Sequence, residues 1–588
     1  MNTKRMSSIR SFARVRMDRT NAQATAMPSL QRRARLPAAA SRLRLATLWC
    51  ALLCAWTSPL RSVAAEATPS PPPDLAALRQ RIGDHLAQSR FARARWGVHI
   101  ESLDTGTTLF SYDADKLFLP ASNAKLYIGA LALDRLGGDA RIRTSVYATA
   151  RAGGRGVLTG DLIVYGRGDP SVSARLHHGD LCKAFDPLVA VVQQAGVRMV
   201  RGDIVADTSF FRGPPFGSGW DWDDLQYYYG AEVSALSVND NAMEVVVQPR
   251  ERPGLPAAVM VRPYGGLLTV SNFATTCEPE GKANIRISRP LASNTVYVEG
   301  QLPVGHTGEV ERLAVHRPAV WFANVFKESL ERRGIRVTGG TRVVDAAIQA
   351  SLDSAIRTGL VPNRGTLHEL GSMSSPPVRE LVRHMMKPSQ NLHAQLLLLQ
   401  VGATAEDRTH AKTWPLGVGA PTGRGLKTPG SKALNQPFET TEAAGIKALE
   451  AFLRQAGISS DQVQLEEGPG LSRRNLVTPA ATVALLRYMD RHPCAPDFRE
   501  SLPLAGVDGT LQNRMRQTAA AGNARAKTGS LGGVYTLSGY VTSGAGERLA
   551  FSLMLNNYRA PDPARSARAE LDEIVVVLAQ LPFRTALP

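Results

Sequence analysis

Cysteine is scarce in this chain, with five residues in 588. None stands in a CxxC pair or at metal-ligand spacing, which removes zinc-ribbon and thioredoxin-like modules from consideration. Histidine supplies no metal site either, because His177 and His178 are adjacent rather than four apart and cannot share a helix face. The sequence therefore implies no metal and no cofactor. Apolar runs are short: the stretch 45–56 falls well below the length that crosses a bilayer as a stable anchor. With 44% hydrophobic and 20% charged residues the chain reads as globular, neither disordered nor a bundle of membrane spans. At this length two or more folded units are expected.

The net charge of +18 would suit a nucleic-acid partner, yet its distribution argues otherwise. Residues 1–65 hold twelve Arg and Lys against one acid, Asp18, so they contribute +11 and leave 18 − 11 = +7 for all the rest. No basic run interleaved with aromatics occurs beyond them, and nucleic-acid binding loses its support. The same segment has the order of an export signal: a basic stretch ending at Arg44, the apolar run 45–56, then the small residues Val63, Ala64 and Ala65. Cleavage after Ala65 and a periplasmic location are expected, with retention of the run as an anchor as the alternative. Cys50 and Cys54 leave with the signal. Of the three cysteines that remain, Cys182 and Cys277 are the pair expected to bridge in an oxidising compartment, and Cys494 reads as a buried inert thiol.

Gly and Pro punctuate the chain beyond residue 65. A Pro-rich linker occupies 66–75. A helix over 74–90 precedes two alternating stretches, 96–103 and 107–112, joined at Asp104-Thr105-Gly106 as a hairpin. Pro120-Ala121-Ser122 leads into a largely apolar helix over 125–136 that Gly137-Gly138 stops. From 146 to 311 the texture is short β-like runs, read as a β-rich insertion of one or two nested modules. Helices are predicted over 318–333, 378–386, 392–402, 442–455 and 479–489, then strands over 534–541 and 548–555. A terminal helix comes last, capped by Asp562 with Pro563 in its first turn. Hairpins from both chain ends predict one antiparallel sheet assembled from 76–145 and 312–588, flanked by helices: an α+β (α/β) catalytic domain with the insertion at 146–311.

Three short motifs carry chemistry. In Ser122-Asn123-Ala124-Lys125 the hydroxyl and the amine are three apart on a helix and share a face, so Lys125 can take the serine proton if burial keeps it uncharged. It is the one SxxK among twelve lysines, although chance alone supplies about one such pair in a chain this long. In Lys527-Thr528-Gly529-Ser530 a cation, a hydroxyl and a residue without Cβ suit an edge strand that holds a carboxylate while its backbone closes on an acyl group. The bland reading is a turn beside a solvated lysine. Ser389-Gln390-Asn391 is weak alone, since Ser237-Val238-Asn239 repeats the pattern and a serine at a helix start is ordinarily a cap. Taken in order, SxxK, SxN and KTG form the signature set of β-lactamases and penicillin-binding proteins.

The chain resembles the class C, low-molecular-mass penicillin-binding proteins, the D-alanyl-D-alanine carboxypeptidase/endopeptidase family, whose SxxK and SxN motifs are separated by a long insertion. Further stretches resemble that family: 168–171, 202–207, 234–241, 334–339, 470–473 and 504–510. Two positions depart from its pattern. Glu467-Gly468-Pro469-Gly470-Leu471-Ser472 stands where Asp-Gly-Ser-Gly-Leu-Ser is common, and His393 stands where an aromatic is frequent.

The resemblance implies a penicillin-binding/β-lactamase-like transpeptidase fold and an acyl-enzyme on Ser122. It implies Lys125 as base, with Asn391 holding Lys125 and the substrate amide, and Ser389 relaying a proton to the leaving amine. Lys527 and Thr528 would bind the terminal carboxylate, with the N–H groups of Ser122 and Ser530 as oxyanion donors. Lys527 is also expected to help keep Lys125 neutral. Peptidoglycan peptides are the implied substrates, β-lactams the implied covalent inhibitors, and peripheral association with the membrane or a wall-synthesis complex the implied setting. No deacylating glutamate stands out near the motifs. The alternatives are a serine β-lactamase or esterase on the same scaffold and a catalytically weak peptidoglycan-binding scaffold. Carboxypeptidase and endopeptidase readings both remain open.

Overall fold

Along the strand Arg548–Asn556, Leu549, Phe551, Leu553 and Leu555 enter one apolar cluster while Ala550 and Met554 enter another, so the strand must be covered on both faces. In the computed structural model, which describes residues 73–263, 267–357, 367–407, 439–559 and 567–585, it is the middle of a five-stranded antiparallel sheet. The order is Arg525–Leu531, Val534–Thr542, Arg548–Asn556, Arg95–Ser102, Thr108–Tyr112. The expected signal at 1–65, most of the linker, and the capping pair Asp562 and Pro563 lie outside the described residues.

One face is covered by the helices Leu75–Gln88 and Ala567–Ala579. Leu78, Ile82 and Leu86 of the first recur every four residues and meet Leu571, Ile574, Val575 and Leu578 of the second. The Asp74 side chain caps the first helix. The other face carries a helical layer centred on Ala124–Leu136, whose residues from Ala124 to Leu133 are all buried. Around it stand Val378–Met386, Asn391–Asp407, Thr441–Gln455 and Pro479–Asp490. Each fully buried Leu or Ile here is worth roughly 1.5–3 kcal/mol over the exposed state. Packing is close enough that a Cβ on Gly129 would stand 2.6 Å from Met386 Cε.

After Arg143 the chain enters a second five-stranded sheet, ordered Thr341–Val344, Ile204–Asp207, Leu162–Tyr165, Arg143–Ala148, His368–Ser374. Two of its pairings are parallel, and parallel strands need a crossover. The helices Leu181–Gln194 and Pro318–Arg332 pack on it through Phe185, Leu188, Phe322 and Phe326. Beyond lie two three-stranded sheets: Ala242–Gln248 between Glu309–Ala314 and Ala258–Arg262, and Thr295–Pro303 between Thr269–Cys277 and Arg286–Ser288. They share a small core of Val245, Val247, Val296, Val298 and Leu313.

The segment 146–311 holds short strands and, among them, the 14-residue helix Leu181–Gln194. Two expectations need correction. The chain does not leave this region at 311: Thr341–Val344 and His368–Ser374 pair with strands formed before it, so the sheet runs on to Ser374. Finally, Cys182 and Cys277 form no disulfide. Cys182 lies in the first turn of a helix, 3.2 Å from Arg332 Nη1, while Cys277 ends a strand of the distal sheets. Cys494 is also free, and half-buried rather than buried.

Candidate active site

Ser122 sits in a single 3-10 turn, Ala121–Asn123, that runs straight into the buried helix Ala124–Leu136. Lys125 is therefore in that helix's first turn, pointing where water does not reach; it has no exposed surface. Its Nζ lies 2.8 Å from Ser122 Oγ, 2.7 Å from Asn391 Oδ1 and 2.7 Å from the Pro469 carbonyl oxygen. The last two partners can only accept. A neutral amine that donates both of its N–H bonds to them is left with its lone pair on the serine hydroxyl, the orientation that proton abstraction requires. Burial pushes the Lys125 amine down to about 7, against a charge on Glu467 that favours the ammonium form.

Asn391 begins the helix Asn391–Asp407, and its amide has no freedom to flip, since Nδ2 donates to the Tyr229 carbonyl at 2.9 Å while Oδ1 faces Lys125. Ser389 stands at the mouth of the same turn with φ of +63°, a left-handed conformation that costs a serine roughly 1 kcal/mol or more. Its Oγ accepts from Lys527 Nζ at 2.8 Å. The rival pattern Ser237–Asn239 is elsewhere, with Ser237 Oγ donating to the Ser234 carbonyl and the Asn239 amide to Ala242.

The strand Arg525–Leu531 closes the site from the sheet side. Lys527, likewise without exposed surface, also donates to the Thr528 carbonyl at 2.7 Å. Its amine is held well below the usual lysine range, first by burial and then by the neighbouring charge of Lys125. For Lys125 itself burial is the lowering cause, opposed by the charge of Glu467. Thr528 Oγ1 meets Thr510 Oγ1 at 2.9 Å, which ties the strand to the 504–510 loop. Gly529 has to be glycine: a Cβ there would stand 2.7 Å from the Pro120 carbonyl and 3.0 Å from Ser122 N. Ser530 is exposed on the next residue of the strand.

The structure thus brings Ser122, Lys125 and Asn391 into one hydrogen-bonded group, and Ser389 and Lys527 into a second that the charge interaction between the two lysines joins to it. Sequence reasoning missed Tyr229, Pro469, Thr510 and above all Glu467. That glutamate has no exposed surface and its charge acts on Lys125, so an acid does stand near the motifs after all. The signal available was its position in a Gly-Pro-Gly turn that resembles a family motif. His393, the other departure, is also fully buried, with Nε2 3.4 Å from Asp240 Oδ1. Among the described residues no group of three or more His, Cys, Asp or Glu could hold a metal ion.

A family model described as D-Ala-D-Ala carboxypeptidase 3 (S13) matches residues 78–424 and 431–580. The chain is 34% identical over 517 residues to a D-alanyl-D-alanine carboxypeptidase from Actinomadura sp. (strain R39), covering 86% of this chain and 85% of that one. It is 26% identical to the D-alanyl-D-alanine carboxypeptidase DacB of Haemophilus influenzae over 81% of this chain and 88% of the other. The crystal structure of penicillin binding protein 4 (dacB) from Haemophilus influenzae superposes with a TM-score of 0.65 at 23% identity, over 84% of this chain and 97% of that one. The same protein complexed with a β-lactam gives a TM-score of 0.63 at 22% identity, over the same shares of the two chains.

Proposed function

This chain belongs to the D-Ala-D-Ala carboxypeptidase 3 (S13) family, and from that premise we propose that it hydrolyses the D-alanyl-D-alanine bond of peptidoglycan stem peptides through an acyl-enzyme on Ser122. The observation that carries the reading is the Lys125 amine, buried, poised to be neutral near pH 7 and 2.8 Å from the Ser122 hydroxyl. As Ser122 Oγ attacks the carbonyl of the penultimate D-Ala, its proton passes to Lys125 Nζ. The Ser389 hydroxyl, held by Lys527, relays the proton that Lys125 has taken to the departing amine, and water later releases the acyl group.

Lys527 and Thr528 receive the terminal carboxylate. With no carboxylate paired to it among the described residues, Lys527 gains its counter-ion when the substrate arrives. The N–H groups of Ser122 and Ser530 flank the position of the oxyanion, and the tight passage at Gly529 sets their spacing. A β-lactam presents the same strained amide and anionic group, so it acylates Ser122 in place of the peptide.

Removal of a terminal D-Ala and cleavage of a D-alanyl cross-link share this acylation half and differ in the leaving amine. Digestion of a purified muropeptide mixture, read by mass spectrometry, distinguishes them: pentapeptides shorten by one residue in the first case and dimers become monomers in the second. Ser122→Ala should abolish both changes, by about 10⁴-fold or more. Equal digestion by the wild type and Ser122→Ala would overturn the assignment. The N-terminal segment, with its basic stretch and apolar run, supports export to the periplasm and peripheral association with the membrane or a wall-synthesis complex. Recovery of the protein in the periplasmic fraction with a new N-terminus after Ala65 checks the first, and recovery only in the cytoplasm refutes it.

A further inference from the structure

Glu467 is held by hydrogen bonds from Trp220 Nε1 at 3.0 Å, from Gly470 N at 2.7 Å and from Asn475 Nδ2. Among the described residues three N–H donors and no acceptor are hydrogen-bonded to its two oxygens. Such a pocket satisfies a carboxylate and offers a protonated acid nothing to donate to. Burial raises its pKa above the ordinary carboxylate range, and the Trp220 and Asn475 donors, Lys125 and the Gly470 N–H act against that rise. The positive charge that Lys125 carries in its ammonium form is a further influence in favour of the anion.

The same side chain shapes the backbone next to the nucleophile. By accepting from Gly470 N it closes the turn 467–470, while Gly468 N donates to Gln395 Oε1 at 2.9 Å. A Cβ on Gly470, at φ of +88°, would stand 1.9 Å from the Ala121 carbonyl, and one on Gly468 would stand 2.7 Å from that of Ala394. The turn is therefore clamped between the residue preceding Ser122 and the helix that carries Asn391. Its product is the buried Pro469 carbonyl, 2.7 Å from Lys125 Nζ.

We propose that Glu467 is a positioning residue for the serine chemistry: its carboxylate fixes the turn that presents the Pro469 carbonyl to Lys125, and it supplies the negative charge that stabilises the ammonium formed when Lys125 takes the Ser122 proton. The inference rests on Ser122 acting as nucleophile and Lys125 as its base. The charged groups facing Lys125 are Glu467 from this turn and Lys527 from the strand Arg525–Leu531; Ser122 and Asn391 are neutral. The Ser122 proton moves to Lys125 Nζ while the O–C bond forms; as the C–N bond breaks, that same proton passes from Lys125 by way of the Ser389 hydroxyl to the leaving amine, so Lys125 returns to the neutral amine and bonds and protons balance. A carboxylate beside an amine favours its protonated form, so removal of that charge lets Lys125 become neutral at a lower pH while depriving the ammonium of its partner.

The test is the rate of acylation of the full chain by a fluorescent penicillin between pH 5 and 9. In the wild type the rate should rise through an apparent pKa of about 7. In Glu467→Gln the rising limb should move down by about one pH unit, with a plateau lowered roughly tenfold. Glu467→Asp keeps the charge and should keep the limb in place. Trp220→Phe, which removes one donor from the carboxylate, should move the limb in the same direction as Glu467→Gln by a smaller amount, and it serves if Glu467→Gln does not fold. A limb that stays put in Glu467→Gln or in Trp220→Phe, with only thermal stability reduced, would overturn the proposal, as would an equal shift in Glu467→Asp. Labelling of Ser122→Ala would instead overturn the reading beneath it.

Discussion

Two lysines without exposed surface face one cleft, and the protein treats them differently. On the helical side Lys125 is surrounded by a finished set: two acceptors, a hydroxyl and a buried carboxylate nearby. On the sheet side Lys527 has only a serine hydroxyl and a backbone carbonyl, and among the described residues no carboxylate to pair with. A buried cation without a partner is costly. The lesson is that one amine has its set of partners complete within the protein, whereas the other has no counter-ion among the described residues, which is what the proposed roles of base and carboxylate receptor require. The same contrast extends to their neighbours, since the Asn391 amide is pinned by Tyr229 while the Thr528 hydroxyl meets only another hydroxyl, that of Thr510.

Substitutions can break that comparison. Lys125→Met should lower the rate of acylation by about 10³-fold for every substrate, whether or not it carries a terminal carboxylate, because the lost step is proton transfer. Lys527→Met should have a smaller and more selective effect: a loss of about 10² for peptides ending in a free carboxylate, and little change for the same peptides capped as carboxamides. Steady-state kinetics on the capped and uncapped pair measures both. If Lys527→Met damages the two peptides equally, the sheet-side amine is part of the proton path and the proposed division of labour fails.

What could be read in the residues tracked the reach of local physics. The helix Val378–Met386 and the hairpin Arg95–Tyr112 announce themselves by period and turn chemistry, and the three motifs needed only each other's company. The amphipathic helix Leu181–Gln194 was lost among strands, since Pro187 lies within it and Gly residues flank it. Strands Thr341–Val344 and His368–Ser374 find partners well over a hundred residues earlier, an association that no local pattern encodes. Glu467 was overlooked for a related reason: an acid in a Gly-Pro-Gly stretch looks like a surface turn. Its carboxylate is held by Trp220, distant in the chain, and the turn it closes packs through Gly470 against Ala121, which is likewise distant.

The order of strands in the first sheet has a consequence for a shortened chain. Arg95–Ser102, made early, lies directly against Arg548–Asn556, made almost last, and the Lys527 strand is two places farther out on that late edge. Ser122 thus precedes in the chain, by about four hundred residues, the strand that carries Lys527. The sheet is therefore incomplete until Arg548–Asn556 pairs with Arg95–Ser102, so a chain truncated before residue 548 lacks the strand that joins the two ends of the sheet.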